Sequence, residues 1–176
     1  MRIKILYIDE IKTRIGYIKV AVTSNGLAAV SLPSDKMAFD SFIKREFSSW
    51  KIVRSEKMTK KAARQINLYL DGKLKKFNLK LDLRTTLFRR EVLRKVAAIP
   101  YGKTRTYGEI ARQIGRIKAQ RAVGSANAAN PIPIVIPCHR VVAASGIGGY
   151  AGGTKMKKLL LEMEATVSTK KRRKNG

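Results

Sequence analysis

The sequence predicts an α/β (α+β) protein of two domains, a small strand-rich half followed by a mostly helical half. Three observations carry this. Residues 1–32 mix β-branched and charged residues around an Asn25-Gly26 turn. From Thr86 onward, apolar residues recur at helical spacing in short segments closed by glycine or proline. The length, 176 residues with 44% hydrophobic content, suits one domain of ordinary size or two small ones.

In chain order, residues 16–22 and 27–32 read as strands around Thr23-Ser-Asn-Gly26, and Asn-Gly is a strong hairpin signal. Ser34 and Asp35 are candidate caps for a helix carrying Met37, Phe39, Phe42 and Ile43 on one side. A second helix is expected from about Thr59, with Ala62, Ile66, Leu68 and Tyr69 before Asp71-Gly72 ends it. Nothing in this half suggests catalysis, so residues 1–82 read as a scaffold domain.

Residues 83–167 form the second expected domain. Phe88, Val92, Leu93 and Val96 share a helix closed by Pro100-Tyr-Gly102. Residues 106–115 give a short helix ended by glycine, and residues 119–129 a second one. With Ala111 and Ile114 inward, the pair matches a helix-turn-helix, a moderately specific pattern. Ala119, Ala122, Gly124, Ser125, Ala126, Ala128 and Ala129 make the second helix slim, with Arg121 projecting from it. Such a helix either packs closely on a neighbour or enters a groove too narrow for bulk, with Arg121 as its probe. Pro131 and Pro133 stiffen the backbone beyond it, and Ile134-Val-Ile136 reads as a short buried strand. Pro137 is expected to bar a helix through Cys138. The glycine-rich loop 145–153 lacks the Gly-Lys-Ser/Thr ending of a phosphate loop. Residues 154–164 read as a helix and residues 168–176 as a disordered basic tail.

Charge narrows the function. Thirty-eight Lys and Arg against 12 Asp and Glu give a net charge of +26. Such an excess repels itself in the folded state, and a polyanionic partner, nucleic acid, explains it. One cysteine excludes an internal disulfide, and with one histidine it excludes Cys/His zinc sites. No carboxylate cluster suggests magnesium, so neither metal nor cofactor is expected. The N-terminus lacks a signal-peptide apolar core, and no stretch approaches the roughly 20 apolar residues of a membrane span. The expectation is a cytoplasmic or nucleoid-associated monomer with a free thiol.

The only cysteine and the only histidine are adjacent, in Pro137-Cys138-His139, with Arg140 next. An attacking sulfur must be a thiolate, and a free thiol titrates near 8.5. His139 is positioned in sequence to take the proton, and Arg140 and the positive field to favour the anion. On a strand, neighbouring side chains point to opposite faces, so a bridging water is the better proton path. The imidazole then needs an orienting partner on its other nitrogen. Glu164 is the candidate, since it shares a helix face with Leu160 and Leu161. Glu162, four residues after Lys158, reads instead as an exposed pair.

Residues 84–165 resemble the C-terminal domain of the O6-alkylguanine-DNA alkyltransferase family. The match is nearly continuous over Asn130-Pro-Ile-Pro-Ile-Val-Ile-Pro-Cys-His-Arg-Val-Val142 and extends to Phe88-Arg-Arg-Glu-Val92, Gly152-Gly153 and Leu160-Leu-Glu-Met-Glu164. The first half is similar only in its strand-helix layout, which the family shares with the ribonuclease H fold. The resemblance implies repair of duplex DNA by irreversible, stoichiometric transfer of an alkyl group from O6-alkylguanine, and less well from O4-alkylthymine, to Cys138. It implies a relay from Cys138 through water to His139 and Glu164, and Tyr107 assisting the leaving guanine. It places Arg121 in the space vacated by the flipped base and the slim helix, with Ala122 and Gly124, in the minor groove. Asn130, Tyr150, Ala151 and Gly152 fall on positions that tie or line the base pocket, and Arg140 joins the implied DNA-contacting set. Three features depart from the family pattern. Gln120 stands where a small residue is usual, Ala151 replaces a serine, and the loop 145–150 is one residue shorter than in some members. Zinc, carried by some members, is excluded here by the cysteine and histidine count.

Three other readings compete. A module that recognises alkylated bases without repairing them would lack the reactive cysteine. A thiol hydrolase predicts turnover and leaves the charge and the helix pair unexplained. A gene regulator gives no reason for Pro-Cys-His.

Overall fold

The computed structural model describes residues 3–174, with side chains through residue 167. It divides into two compact units, Met1–Arg84 with Pro131–Pro133, and Thr85–Asn130 with Ile134–Gly176.

The first unit is a four-stranded sheet with two helices. Strands β1 (Ile5–Thr13), β2 (Gly16–Thr23) and β3 (Gly26–Val30) form an antiparallel meander, and β4 (Lys51–Arg54) adds parallel to β1, in the order β3-β2-β1-β4. A parallel neighbour needs a crossover, and helix α1 (Lys36–Glu46) supplies it. Leu6, Ala21, Ala28 and Ala29 from the sheet close over Phe39, Ile43 and Phe47. Each large apolar side chain buried there contributes roughly 1.5–3 kcal/mol. Met37 does not join them: it is 85% exposed, because it sits two residues, about 200° of helix, from Phe39. Asp35 occupies the cap position of α1 without a side-chain hydrogen bond.

Helix α2 (Glu56–Leu70) begins three residues before the expected Thr59. Ser55 starts it by accepting from Met58 N at 3.4 Å, while Thr59 is buried one turn in. Ala62, Ile66, Tyr69 and Leu70 are its buried face.

The Asn-Gly turn has a second constraint that no hairpin rule contains. Leu27 N donates to Lys80 O at 2.9 Å and Asp82 N to Leu27 O at 2.8 Å, so residues 80–82 lie along β3. A Cβ on Gly26, whose φ is +143°, would collide with the Lys80 carbonyl. At the end of this unit the Arg84 guanidinium lies 4.7 and 4.6 Å from the Phe47 and Trp50 ring centroids, a cation–π clamp. The Pro131 carbonyl accepts from Val30 N at 2.9 Å.

The second unit is helical, with helices α3 (Leu87–Ala97), α4 (Tyr107–Gln113), α5 (Gln120–Ala128) and α6 (Gly153–Lys174). Thr106 and Glu109 form a reciprocal capping box on α4, at 3.1 and 2.7 Å, and Gly115 ends that segment at φ +70°. Val92, Leu93 and Val96 of α3 are buried with Ile110, Ala111 and Ile114, and with Val123 and Ala126 of α5. Two-residue strands β5 (Arg105–Thr106) and β6 (Val141–Val142) pair in parallel, which pins the start of α4 beside residues 138–142.

Three expectations need correction. Ile134-Val-Ile136 is a turn, with Ile134 and Ile136 buried but Ile134 at φ +73°. Two prolines remove the donors a ladder needs, and the Ile136 carbonyl accepts instead from Asn130 Nδ2 and Cys138 N. A β-branched residue at positive φ is a genuine outlier, costing about 1–3 kcal/mol. Cys138–Arg140 is a single-turn 3-10 helix despite Pro137. Proline is excluded from helix interiors but not from the position before the first residue. Finally, α6 runs through Lys174, so residues 168–174 of the expected disordered tail have helical backbone. No glycine or proline interrupts residues 154–174, and cations are favoured near a helix C-terminus. Residues 175–176 of that tail lie outside the described residues. No described helix is long and apolar enough to cross a membrane.

Candidate active site

Cys138 opens the single-turn helix and is 3% exposed. Two asparagines hold the turn around it: Asn127 Nδ2 donates to Cys138 O at 3.1 Å, and Asn130 Nδ2 to Ile136 O at 2.9 Å. Burial pushes the thiol up to about 11. Hydrogen bonds from the Asn130 and Tyr150 side chains and the charge of Lys157 pull the other way without cancelling it. The resting sulfur is a neutral thiol.

His139 and Glu164 are both fully buried, and Nε2 lies 2.9 Å from Glu164 Oε1. That carboxylate also accepts from the Arg140 guanidinium, at 2.9–3.1 Å, and from Gly102 N at 2.7 Å. Burial alone would raise Glu164, but the bonds and charges of His139 and Arg140 hold it at about 2. Burial lowers His139 below its ordinary range, Glu164 opposing and Arg140 and Lys157 reinforcing, so the imidazole is neutral near pH 7. An ionised carboxylate only accepts, so we assign the proton to Nε2, which leaves Nδ1 as the basic nitrogen. Successive residues of a 3-10 helix project about 120° apart. The Cys138 and His139 side chains therefore diverge on this turn, as they would have done on a strand.

Tyr107 is the first residue of α4, and its hydroxyl lies 3.5 Å from the Gly149 carbonyl. Burial raises its pKa and a negative Cys138 raises it further, so phenol and thiol share one neighbourhood. Gly148, at φ +70°, lies against the Tyr107 ring, and a Cβ there would fall 3.3 Å from the ring and 3.1 Å from Ala143 N. Gly148→Ala is expected to lower stability by about 1–2 kcal/mol, a drop that thermal unfolding measures.

Residues 6–83 match the ribonuclease-like domain and residues 87–166 the DNA-binding domain of 6-O-methylguanine DNA methyltransferase. A methylated-DNA–protein-cysteine methyltransferase of Methanosarcina acetivorans is 41% identical over 162 residues, 92% of this chain and 99% of that protein. The chain belongs to the 6-O-methylguanine DNA methyltransferase family. Among solved structures, Mycobacterium tuberculosis OGT in complex with DNA superposes with a TM-score of 0.78 at 38% identity, covering 92% of this chain and 94% of that one. The O6-methylguanine-DNA methyltransferase of the archaeon Pyrococcus kodakaraensis gives 0.64 at 29% identity, covering 90% and 98%.

Within this methyltransferase fold the residues singled out by sequence fall into two groups. Cys138, His139, Glu164, Tyr107, Asn130 and Tyr150 gather at one centre, with the Tyr150 ring edge-on to the imidazole at 6.4 Å. Arg121, Ala122, Ser125, Ala128 and Ala129 lie exposed along α5, while Val123, Ala126 and Asn127 are its buried side. One side of the slim helix packs, and the other leaves small residues and Arg121 at the surface. A Cβ on Gly124 would meet the Tyr107 ring at ordinary contact distance, 3.9 Å, and one on Gly108 would lie 3.4 Å from the Gln120 amide, so Gln120 sits between α4 and α5. Ala151 is exposed and Gly152 half-buried.

Arg140 departs from its expected place. It is buried, bonded to Glu164 and, through Nη1 at 2.6 Å, to the Ile99 carbonyl. With its donors turned inward it holds Glu164 rather than presenting a cation to DNA or to the sulfur.

Sequence reasoning missed Lys157. It is fully buried on α6, and Nζ donates to Val141 O at 2.6 Å and Gly149 O at 3.0 Å. Burial lowers it to about 8, with Cys138 opposing. The available signal was its spacing, three and seven residues before Leu160 and Glu164, which puts it on the buried face of α6.

Proposed function

We propose that this chain repairs DNA by moving an alkyl group from O6-alkylguanine to Cys138, once per molecule. The observation that carries this reading is a buried thiol on the same helical turn as a neutral histidine whose Nε2 is bonded to a carboxylate held at about 2. Sγ attacks the alkyl carbon, a C–S bond forms and the C–O bond to guanine breaks. The thiol proton passes through water to His139 Nδ1, and Glu164 stabilises the resulting imidazolium. Tyr107 supplies a proton to the departing guanine. The product is a thioether, a poor leaving group, and no side chain at this centre is suited to remove it. O4-alkylthymine is the poorer substrate.

A base within a duplex does not reach a sulfur so enclosed, so the target nucleotide leaves the stack. The exposed small residues of α5 suit close approach to the minor groove, with Arg121 in the space left behind. We place the protein in the cytoplasm or nucleoid as a monomer.

Intact mass after incubation with duplex DNA carrying one O6-methylguanine tests this. The expected result is a single added methyl on Cys138, at most one equivalent consumed, and no reaction in Cys138→Ala. Repeated turnover, or methyl retained on the DNA, sinks the proposal.

The thiol's pKa gives a second expectation. With a simple alkylating reagent such as iodoacetamide, the Cys138 rate should climb about tenfold per pH unit up to a plateau near 11, because only the thiolate reacts. With alkylated DNA the rise should be shallower, since His139 takes the proton during attack. Titration of the sulfur near 8 in the folded protein contradicts the buried site.

A further inference from the structure

The charge excess is not confined to the unit that holds the reactive centre. Half of the cations, 19 of 38, fall in residues 1–84 with eight of the 12 acids. This unit has no part in the chemistry proposed above. Its cations gather on α2, where Lys57, Lys60, Lys61 and Arg64 are all exposed and follow the i, i+3, i+4, i+7 spacing of one helix face. Like charges at these spacings destabilise an isolated helix, and Lys57 in the first turn also opposes the helix dipole. A groove of about 410 Å³ lies beside them, lined by Lys60 and Arg64 together with Lys12 and Arg54 of the sheet. Of the groove's three acids, Asp9 is neutralised by Arg54 at 3.2 Å and Glu10 by Lys36 at 2.6 Å, which leaves Glu56, in the first turn of α2, against the cations of the face. Among the described residues, Lys12, Lys57, Lys60, Lys61 and Arg64 have no ion-pair partner.

We propose that this face of α2, with Lys12 at the groove, is a second DNA-binding surface that holds the phosphate backbone of duplex DNA. The inference rests on the reading that DNA is the partner. From Lys57 to Arg64 the row spans about 10 Å of helix axis, and a duplex presents one phosphate per roughly 1.7 Å of its own axis. The groove has no aromatic side chain on which an unpaired base would stack, so the surface suits a duplex backbone rather than single strands. It reads no sequence, since phosphate contacts position without specifying. Its effect is to add sequence-independent affinity while the second unit examines bases.

The test is the salt dependence of binding to undamaged duplex DNA by the full chain. Neutralising Lys57, Lys60, Lys61 and Arg64 to Gln should reduce the slope of log K against log salt by about 3 to 4, at roughly 0.9 for each phosphate no longer neutralised. The control removes the same charge elsewhere in the unit, as Lys44→Gln, Lys51→Gln, Lys76→Gln and Lys80→Gln, all exposed, and should change the slope by less than about 1. Single Lys60→Gln, which cannot threaten the fold, should lower it by about 0.9. Equal slopes for the two quadruple variants overturn the surface and leave the repair reading intact. A wild-type chain with no duplex affinity overturns both.

Discussion

Glu164→Ala should abolish most of the repair rate and weaken the second unit together. The carboxylate accepts from His139, Arg140 and Gly102 at a site with no solvent exposure. Removing it leaves the Arg140 charge buried without its counter-ion, a loss of about 3–5 kcal/mol. Glu164→Gln separates the two effects. An amide keeps an acceptor for Arg140, but its NH2 group facing Nε2 selects the other imidazole tautomer, with the proton on Nδ1. The nitrogen that should receive the thiol proton is then occupied. Single-turnover transfer from alkylated duplex is expected to fall about 10²- to 10⁴-fold, with much of the thermal stability retained. An active Glu164→Gln protein would count against the relay.

The same residue sets the acid limit. Glu164 is held at about 2, below its ordinary 4.5, so its contribution is complete above pH 4.5 and lost as pH falls toward 2. That difference is worth roughly 3 kcal/mol. His139 is also lowered by burial, so stability begins to drop earlier, as pH falls below 6.5 and the unfolded imidazole takes up a proton that the folded one refuses. Denaturant unfolding as a function of pH should show both steps, and Glu164→Gln should lack the lower one.

Arg121→Ala is the second large effect. The side chain is exposed on α5, away from the sulfur's own hydrogen bonds, so it has no part in activating the thiol. Its proposed work is to fill the stack once a base has left, and extrusion requires a few kcal/mol. Repair of O6-methylguanine in duplex should fall about 100-fold or more, as a loss of that size implies. Reaction with free O6-methylguanine base should hold within a factor of about two, since no stack is opened. Comparable losses on both substrates would assign Arg121 to the chemistry or to the fold instead.

The candidate site was legible because its parts are rare or periodic. A lone Cys beside a lone His marks itself, and Glu164 follows from its face on a helix. What escaped depended on distant partners. Arg140 reads as a surface cation until Glu164 and Ile99 are seen around it, and Lys157 as one more lysine in a lysine-rich chain. The run Ile134-Val-Ile136 has strand composition, yet side-chain amides from Asn127 and Asn130 hold residues 134–138 in a turn, and composition does not show long-range amide bonds. In the first unit the hairpin was legible from Asn25-Gly26. The start of α2 was missed because its cap, Ser55, lies outside the apolar pattern.

The solitary, enclosed thiol has one more consequence. Because the chain holds a single sulfhydryl and that atom is also the proposed acceptor, every molecule carries a one-bit record of its history. A thiol-reactive dye applied to unfolded protein should count the molecules that have not yet acted, whereas the same dye on native protein should respond far more slowly. A cell extract could then be read as a dosimeter, with the unreacted fraction reporting accumulated DNA alkylation.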